Sequence, residues 1–107
     1  MKRYVVSPKA RVDLREILKH IARDKRSAAV RMRDTFAEHF RLLGAQPFIG
    51  ERCEEYEHLV PGLRVFPVGN YLLYYTPTEY GVRIGHVAHG AMDQESLFRR
   101  WLVSGEF

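Results

Sequence analysis

The chain has 107 residues, of which 46% are hydrophobic and 28% charged, and a formal net charge of +4. This length predicts a single domain over residues 1–107, because independent cores usually need about 100 residues each. The apolar content excludes a disordered chain, and no apolar run approaches the roughly 20 residues of a membrane span. The first residues lack the apolar stretch of a signal peptide. A lone cysteine, Cys53, excludes an internal disulfide, so the composition predicts a cytoplasmic protein.

The positive charge is concentrated in the first part of the chain. Residues 1–41 carry twelve Lys and Arg against five Asp and Glu, a net of +7, whereas residues 42–107 carry five against eight, a net of −3. This basic segment could attract an acidic protein or the phosphates of a nucleic acid. A solvated helix face is the other interpretation of the same pattern.

The first elements are a short strand and an amphipathic helix. Residues 3–6 are β-branched and aromatic enough to predict the strand. Ser7 can cap a helix at its start, and Pro8 suits the first helical position, where a backbone N–H is not needed. The predicted helix covers 8–23. Its apolar stripe consists of Ala10, Leu14, Ile17, Leu18 and Ile21, and its other side carries Arg11, Arg15 and Lys19.

A second amphipathic helix follows after a short break. Residues 24–27 interrupt the stripe, and Ser27 offers a new cap. The second helix is predicted over 27–44, with Gly44 just beyond its last turn. Two helices joined so closely predict an antiparallel αα-hairpin. The second stripe contains Ala29, Met32, Phe36, Phe40 and Leu43.

The second half of the chain has a β pattern that ends in a helix. Residues 46–62 form an irregular acidic connection, with a short strand predicted within 53–58. A tight turn at Gly69-Asn70 separates the first two of three further strands. Asp93 can cap a last helix. The three strands are predicted at 63–68, 71–76 and 82–89, and the last helix carries Leu97, Phe98, Trp101 and Leu102.

This order of elements predicts an α+β fold. Consecutive strands joined by short turns form an antiparallel sheet, and the αα-hairpin must cover one face of it to bury its stripes. The order is β-α-α-β-β-β, followed by the C-terminal helix. The core is expected to contain Leu14, Ile17, Ile21, Phe36, Phe40, Val65, Leu73 and Val87.

Several short motifs, in this order, cover nearly the whole chain. They are Ser7-Pro8-x-Ala10-x-x-Asp13-Leu14-x-x-Ile17, Ile21-Ala22-x-Asp24, Leu43-x-x-x-Pro47-x-x-Gly50, Gly62-Leu63-Arg64-x-Phe66-Pro67-Val68-Gly69-Asn70-Tyr71, Tyr74-Tyr75 and Val87-x-His89-Gly90-x-x-Asp93. Together they resemble the ParE branch of the RelE/ParE superfamily of bacterial toxins. The resemblance implies a type II toxin that inhibits DNA gyrase by binding, without a cofactor or metal. It also implies neutralisation by an acidic, ParD-like antitoxin, through which any DNA contact would be indirect.

The resemblance suggests two sets of binding residues. The acidic antitoxin is expected to contact basic side chains of the hairpin and the sheet. Aromatic side chains near the C-terminus are candidates for contact with the target, although the same spacing also fits a helix docked on the sheet. The antitoxin candidates are Arg11, Arg15, Lys19 and Arg64, and the target candidates are Phe98, Trp101 and Phe107.

The RelE branch, which cleaves mRNA on the ribosome, is the alternative. Such a site needs several convergent cations, and the candidates here are Arg64, Arg83, His86 and His89. Arginines that RelE-type members usually carry around the Gly-x-Tyr turn are replaced by Pro67 and Leu72, and both arginines of the last-strand motif are also replaced, by His86 and Met92. His86 and His89 are three apart in a strand and so are expected on opposite faces. A non-toxic structural homologue is the third interpretation.

Overall fold

A computed structural model describes residues 2–105 of the chain. The α+β class and the predicted order of elements are confirmed. A short two-residue strand is added between the helical hairpin and the three long strands. The elements are β1 Tyr4–Val6, α1 Pro8–Asp24, α2 Arg26–Ala45, β2 Glu51–Arg52, β3 Arg64–Val68, β4 Tyr71–Pro77, β5 Val82–His89 and α3 Gln94–Ser104.

The five strands form one sheet in the order β1-β5-β4-β3-β2. The predicted antiparallel pairing is confirmed for β2 to β5, but β1 runs parallel to β5 at the edge, so the sheet is mixed. The helical hairpin intervenes between β1 and its partner, and a connection of that length permits parallel pairing. Between β4 and β5 the register shifts, because Tyr74 pairs with His86 and Tyr75 with Ile84. Gly85 is therefore the extra residue of a bulge.

Apolar clusters lie on both faces of the sheet. The face that carries α1 and α2 buries Phe36, Phe40, Leu73 and Val87, as predicted. We call it the hairpin face. The opposite face is covered by α3 and is called the α3 face. Its cluster contains Val60, Leu63, Tyr74, Ala88, Leu97, Phe98 and Trp101.

Four of the expected core residues are less buried or lie elsewhere. Leu14 and Ile17 are only partly buried against the hairpin-face cluster, and Ile21 also keeps part of its surface exposed. Ala10 is the one α1 residue among the buried ones. Val65 packs instead with the α3-face cluster. Because successive strand residues point to opposite faces, Val65 and Leu73 cannot share a core when Phe66 pairs with Leu73.

The start of α1 is fixed to the sheet by Ser7, which is the predicted N-cap. Its buried hydroxyl accepts a hydrogen bond from the Ala10 N–H at 3.0 Å and donates one to the Gly85 carbonyl at 2.8 Å. The Ser7 N–H also donates to the Ile84 carbonyl at 2.9 Å. The first turn of α1 is therefore bonded to the bulge of β5.

The junction of α1 and α2 is shorter than predicted. Lys25 alone separates the two helices, in an extended conformation, and Ser27 lies inside α2 and is not its cap. The Lys25 N–H donates to the Ile21 carbonyl and the Lys25 carbonyl accepts from the Ala29 N–H. Backbone bonds thus serve both helix ends, so no side-chain cap is needed.

Gly44 lies inside the last turn of α2 and not after it, contrary to the prediction. A Cβ at this position would stand 2.8 Å from the Arg3 carbonyl oxygen. Glycine is therefore required here by the close approach of α2 to the backbone that leads into β1.

The acidic connection also differs from its prediction. The expected strand within 53–58 is absent, because Glu54–Tyr56 forms a 3-10 turn and the strand pairing occurs earlier, at Glu51–Arg52. The turn lets the chain fold back over the sheet. Val60 and Leu63, which follow it, are thereby buried in the α3-face cluster. Asp93 caps α3 as predicted, accepting from the Ser96 N–H at 3.3 Å.

Candidate functional site

The four side chains that a nuclease would need are divided between the two faces of the sheet. The strand register places Arg64 and His89 on the hairpin face. Arg83 and His86 lie on the α3 face. The sheet therefore separates the four candidates into pairs. They do not converge on one substrate position.

Arg64 is engaged in holding a loop. Its Nη1 donates to the carbonyl oxygens of Phe48 at 3.1 Å and Gly50 at 2.7 Å. Its guanidinium also lies 5.2 Å from the centre of the Phe48 ring, within the range of a cation–π contact. The same loop is held by Tyr75, whose hydroxyl accepts from the Gly50 N–H and donates to the Pro47 carbonyl. Arg64 thus links the end of α2 to β3.

His86 is fully buried and lies between two helices. Its ring stacks on Trp101 of α3, with the centroids 3.7 Å apart and the planes 11° from parallel. Its Nδ1 lies 3.4 Å from the Asp13 carboxylate of α1. Asp13 Oδ2 also accepts the Val87 N–H at 3.0 Å, and Lys9 lies 3.4 Å from the other carboxylate oxygen. The ring joins α1, β5 and α3 and is shielded from any substrate.

His89 is the last residue of β5 and is exposed. Its Nδ1 accepts the Ala91 N–H at 3.1 Å, and its carbonyl accepts from Met92 and from the Gln94 side chain. Its ring contacts Tyr71 edge-on at 5.3 Å. These bonds fix the turn that leads from β5 into α3, so His89 has a structural role there.

The aromatic candidates for target contact are buried. Phe98 is 2% and Trp101 6% exposed, and both rings pack on Tyr74. Phe107 lies outside the described residues. The structure thus matches the second interpretation of their spacing, a helix docked on the sheet, and contact of Phe98 or Trp101 with a target stays a prediction that would require α3 to move away.

The three predicted antitoxin residues of α1 are exposed, and one of them, Arg11, borders a groove. Arg11, Arg15 and Lys19 all lie on the solvent side of α1. Arg11 donates from Nε to the Val6 carbonyl at 3.3 Å, beside an open groove of about 430 Å³ between β1 and the helices. The groove has an apolar floor that includes Leu14, Leu18, Phe36 and Phe40, and its basic rim is formed by Lys2, Arg11 and Arg33.

The acidic connection offers little chemistry. Burial, with a smaller contribution from the carboxylates of Glu55 and Glu51, raises the pKa of the Cys53 thiol to about 11. The thiol is therefore protonated at neutral pH and a poor nucleophile. Within residues 2–105, no group of three His, Cys, Asp or Glu side chains is arranged to hold a metal ion. No helix in that part of the chain is long and apolar enough to cross a membrane.

Residues 4–94 match the model of a family described as the ParE toxin of the type II toxin–antitoxin system parDE. The chain belongs to the ParE toxin family. A solved structure described as a chromosomal ParDE system from P. aeruginosa has a similar fold, with a TM-score of 0.63 and 18% identity. That match covers 80% of this chain and 92% of the other. No curated protein sequence matches the chain.

The ParE family match ends at residue 94, which is the first residue of α3. Phe98 and Trp101 therefore lie outside the matched part. The packing of α3 on the sheet is therefore a feature seen in the structure of this chain and is not part of the family match.

Two side chains in this ParE-type fold have roles that the sequence did not reveal. Asp13 was singled out only as part of a sequence motif, yet it binds the Val87 N–H, 74 residues away. Tyr75 was part of a motif but had no assigned partner, although its hydroxyl bonds residues 47 and 50. A polar group at an otherwise apolar position of a predicted element is the available signal for both.

Proposed function

We propose that this ParE-family toxin acts by binding DNA gyrase and is neutralised by an acidic, ParD-like antitoxin. The observation that carries the proposal is the division of the candidate catalytic groups between two faces of the sheet. A gyrase target implies a cytoplasmic protein. Supercoiling by purified gyrase in the presence of the toxin tests the proposal.

The geometry favours inhibition by binding over cleavage of RNA. Cleavage of a phosphodiester needs several donors directed at one developing charge, and loss of one such donor commonly costs about 10²–10³ in rate. Arg64 already donates to two carbonyl groups, and His86 is covered by Trp101. Arg64 would have to break these bonds to turn towards a phosphate, and His86 cannot reach one while α3 is docked.

The groove beside β1 supports an antitoxin site. Its apolar floor suits the apolar face of a peptide segment, and its basic rim attracts acidic residues. Charge adds to this attraction, since the hairpin segment carries most of the positive charge of the chain. We therefore expect an antitoxin segment with alternating acidic and apolar residues to bind along α1.

Reversing the charge of Arg11, Arg15 and Lys19 to Glu is expected to slow association with the antitoxin by about tenfold or more at low salt. The same change is expected to weaken the dependence of that rate on salt, because electrostatic attraction mainly governs association. Stopped-flow mixing with a purified acidic antitoxin that binds the unmodified toxin measures both. Arg100→Glu, on the exposed side of α3, is the control. Association that is insensitive to salt and to all three reversals would mean that Arg11, Arg15 and Lys19 form only a solvated helix face.

A further inference from the structure

Part of the α3 face is not covered by α3. The helix covers the sheet at His86 and Ala88, but the strands continue beyond it. There, Arg83 of β5 pairs with Val5 of β1 on one side and with Thr76 of β4 on the other. Val5 is 63% exposed, and Arg83 and Thr76 are half-buried. We call these three residues the open strip.

The open strip is bounded by an apolar wall. The segment between the 3-10 turn and β3 lies along it and, with the bulge at Gly85, encloses a shallow cavity of about 410 Å³. Leu59, on the rim of this cavity, is 51% exposed, whereas Val60 and Leu63 behind it are buried. The rest of the lining is Pro61, Tyr74, Tyr75, Thr76 and Arg83.

Arg83 brings a positive charge to this apolar cavity. No ion pair or side-chain hydrogen bond between described residues includes its guanidinium. Arg64, by contrast, is bonded to two carbonyl groups. A half-buried guanidinium against apolar walls favours a carboxylate, which it can bind through two parallel hydrogen bonds. An arginine surrounded by aliphatic side chains is also a typical centre of a protein interface.

We propose that the open strip and its cavity form the contact surface for the target protein, and that they bind a target segment in which a carboxylate adjoins aliphatic side chains. The proposal rests on inhibition by binding and replaces the buried Phe98 and Trp101 as the site of contact. The antitoxin groove opens on the helices, whereas Arg83 and Thr76 belong to the other face of the sheet, and Val5 at the sheet edge borders both surfaces. Two partners can thus recognise the toxin on different sides of β1.

The test compares Arg83→Glu and Arg83→Gln with the unmodified toxin. We expect Arg83→Glu to raise the concentration for half-maximal inhibition of gyrase supercoiling by at least about tenfold, and Arg83→Gln to raise it less. The same order is expected for growth inhibition on induction in cells. Arg52→Glu, an exposed arginine on β2 at the far edge of the sheet, is the matched control and should inhibit like the unmodified toxin. Fluorescence of Trp101, the single tryptophan, and thermal unfolding verify that each variant folds.

The outcomes separate this proposal from the gyrase target. Full inhibition by a folded Arg83→Glu variant, in an assay where the unmodified toxin inhibits, overturns the open strip and leaves the function intact. If the unmodified toxin does not affect gyrase, gyrase is not the target. The comparison of growth inhibition by Arg83→Glu and the unmodified toxin then tests the open strip by itself. If Arg83→Glu does not fold, Arg83→Gln decides by the same comparison.

Discussion

Phe36→Ala is expected to lower the free energy of unfolding by about 3–5 kcal/mol, because it removes a buried ring from the hairpin-face cluster. Phe36 is 2% exposed and lies between Phe40 and Tyr71, with ring centroids 6.3 and 5.7 Å away. Few other groups can move into the space, since Leu73 and Val87 are fixed in the sheet below. Domains of this size have total stabilities of roughly 5–15 kcal/mol, so the variant should be close to unfolding.

Urea unfolding, followed by the fluorescence of Trp101, measures this loss. Val30→Ala on the same helix is the control, because Val30 is 47% exposed and its truncation should change stability by less than about 0.5 kcal/mol. Phe40→Ala is expected to behave like Phe36→Ala. A loss below about 1 kcal/mol at both phenylalanines would mean that α2 does not pack on the sheet as described.

Asp13→Ala is expected to lower the free energy of unfolding by about 3 kcal/mol, since the carboxylate serves three groups at once. It accepts the Val87 N–H and lies 3.4 Å from both His86 and Lys9. Without it, the Val87 N–H loses its acceptor, and the buried imidazole loses the carboxylate beside it. A backbone N–H left without an acceptor costs more than the net value of the bond.

Asp13→Asn separates the charge from the shape of the side chain. Its amide oxygen can still accept the Val87 N–H, so we expect about half the loss seen with alanine. Urea unfolding measures both variants, with Glu16→Ala, an exposed residue of the same helix, as the control. Because Trp101 stacks on His86, its native-state fluorescence should also change in both variants. Equal stability of Asp13→Ala and the unmodified protein would exclude a role for this carboxylate in joining α1 to β5.

Local chemistry determines the features that the sequence predicts well. Ser7 followed by Pro8 starts a helix whatever lies far away, and Asp93 does the same for α3. Gly69 adopts a positive φ of 59° in the turn between β3 and β4, where most residues would be strained. Helical spacing of apolar residues predicted all three helices for the same reason.

Features that depend on distant segments were missed or predicted wrongly. The parallel pairing of β1 with β5 joins residues 78 apart, and no local pattern specifies it. Gly44 looks like the end of a helix until the approach of Arg3 is known. Val65 was assigned to the wrong cluster because the face of each strand depends on the register with its neighbours.

The candidate site was predicted by residue type and not by position. The sequence identified the basic ridge of α1 and the four possible catalytic groups, but the division of those four between two faces depends on the bulge and the strand register. The burial of Phe98 and Trp101 depends on which face α3 covers, which helical periodicity alone does not determine. The exposure of Arg83 beside an apolar cavity follows from the same placement of α3.

Supercoiling by purified DNA gyrase, measured beside cleavage of mRNA on translating ribosomes, tests the central claim most directly. Reactions with increasing toxin are stopped by denaturing the protein, and linear DNA is scored as trapped double-strand breaks. The account predicts loss of supercoiling with an increase in linear DNA, while the mRNA remains intact. Unaffected supercoiling together with cut mRNA would contradict it. That result would instead indicate an mRNA endonuclease, with Arg64, Arg83, His86 and His89 as the candidate catalytic residues.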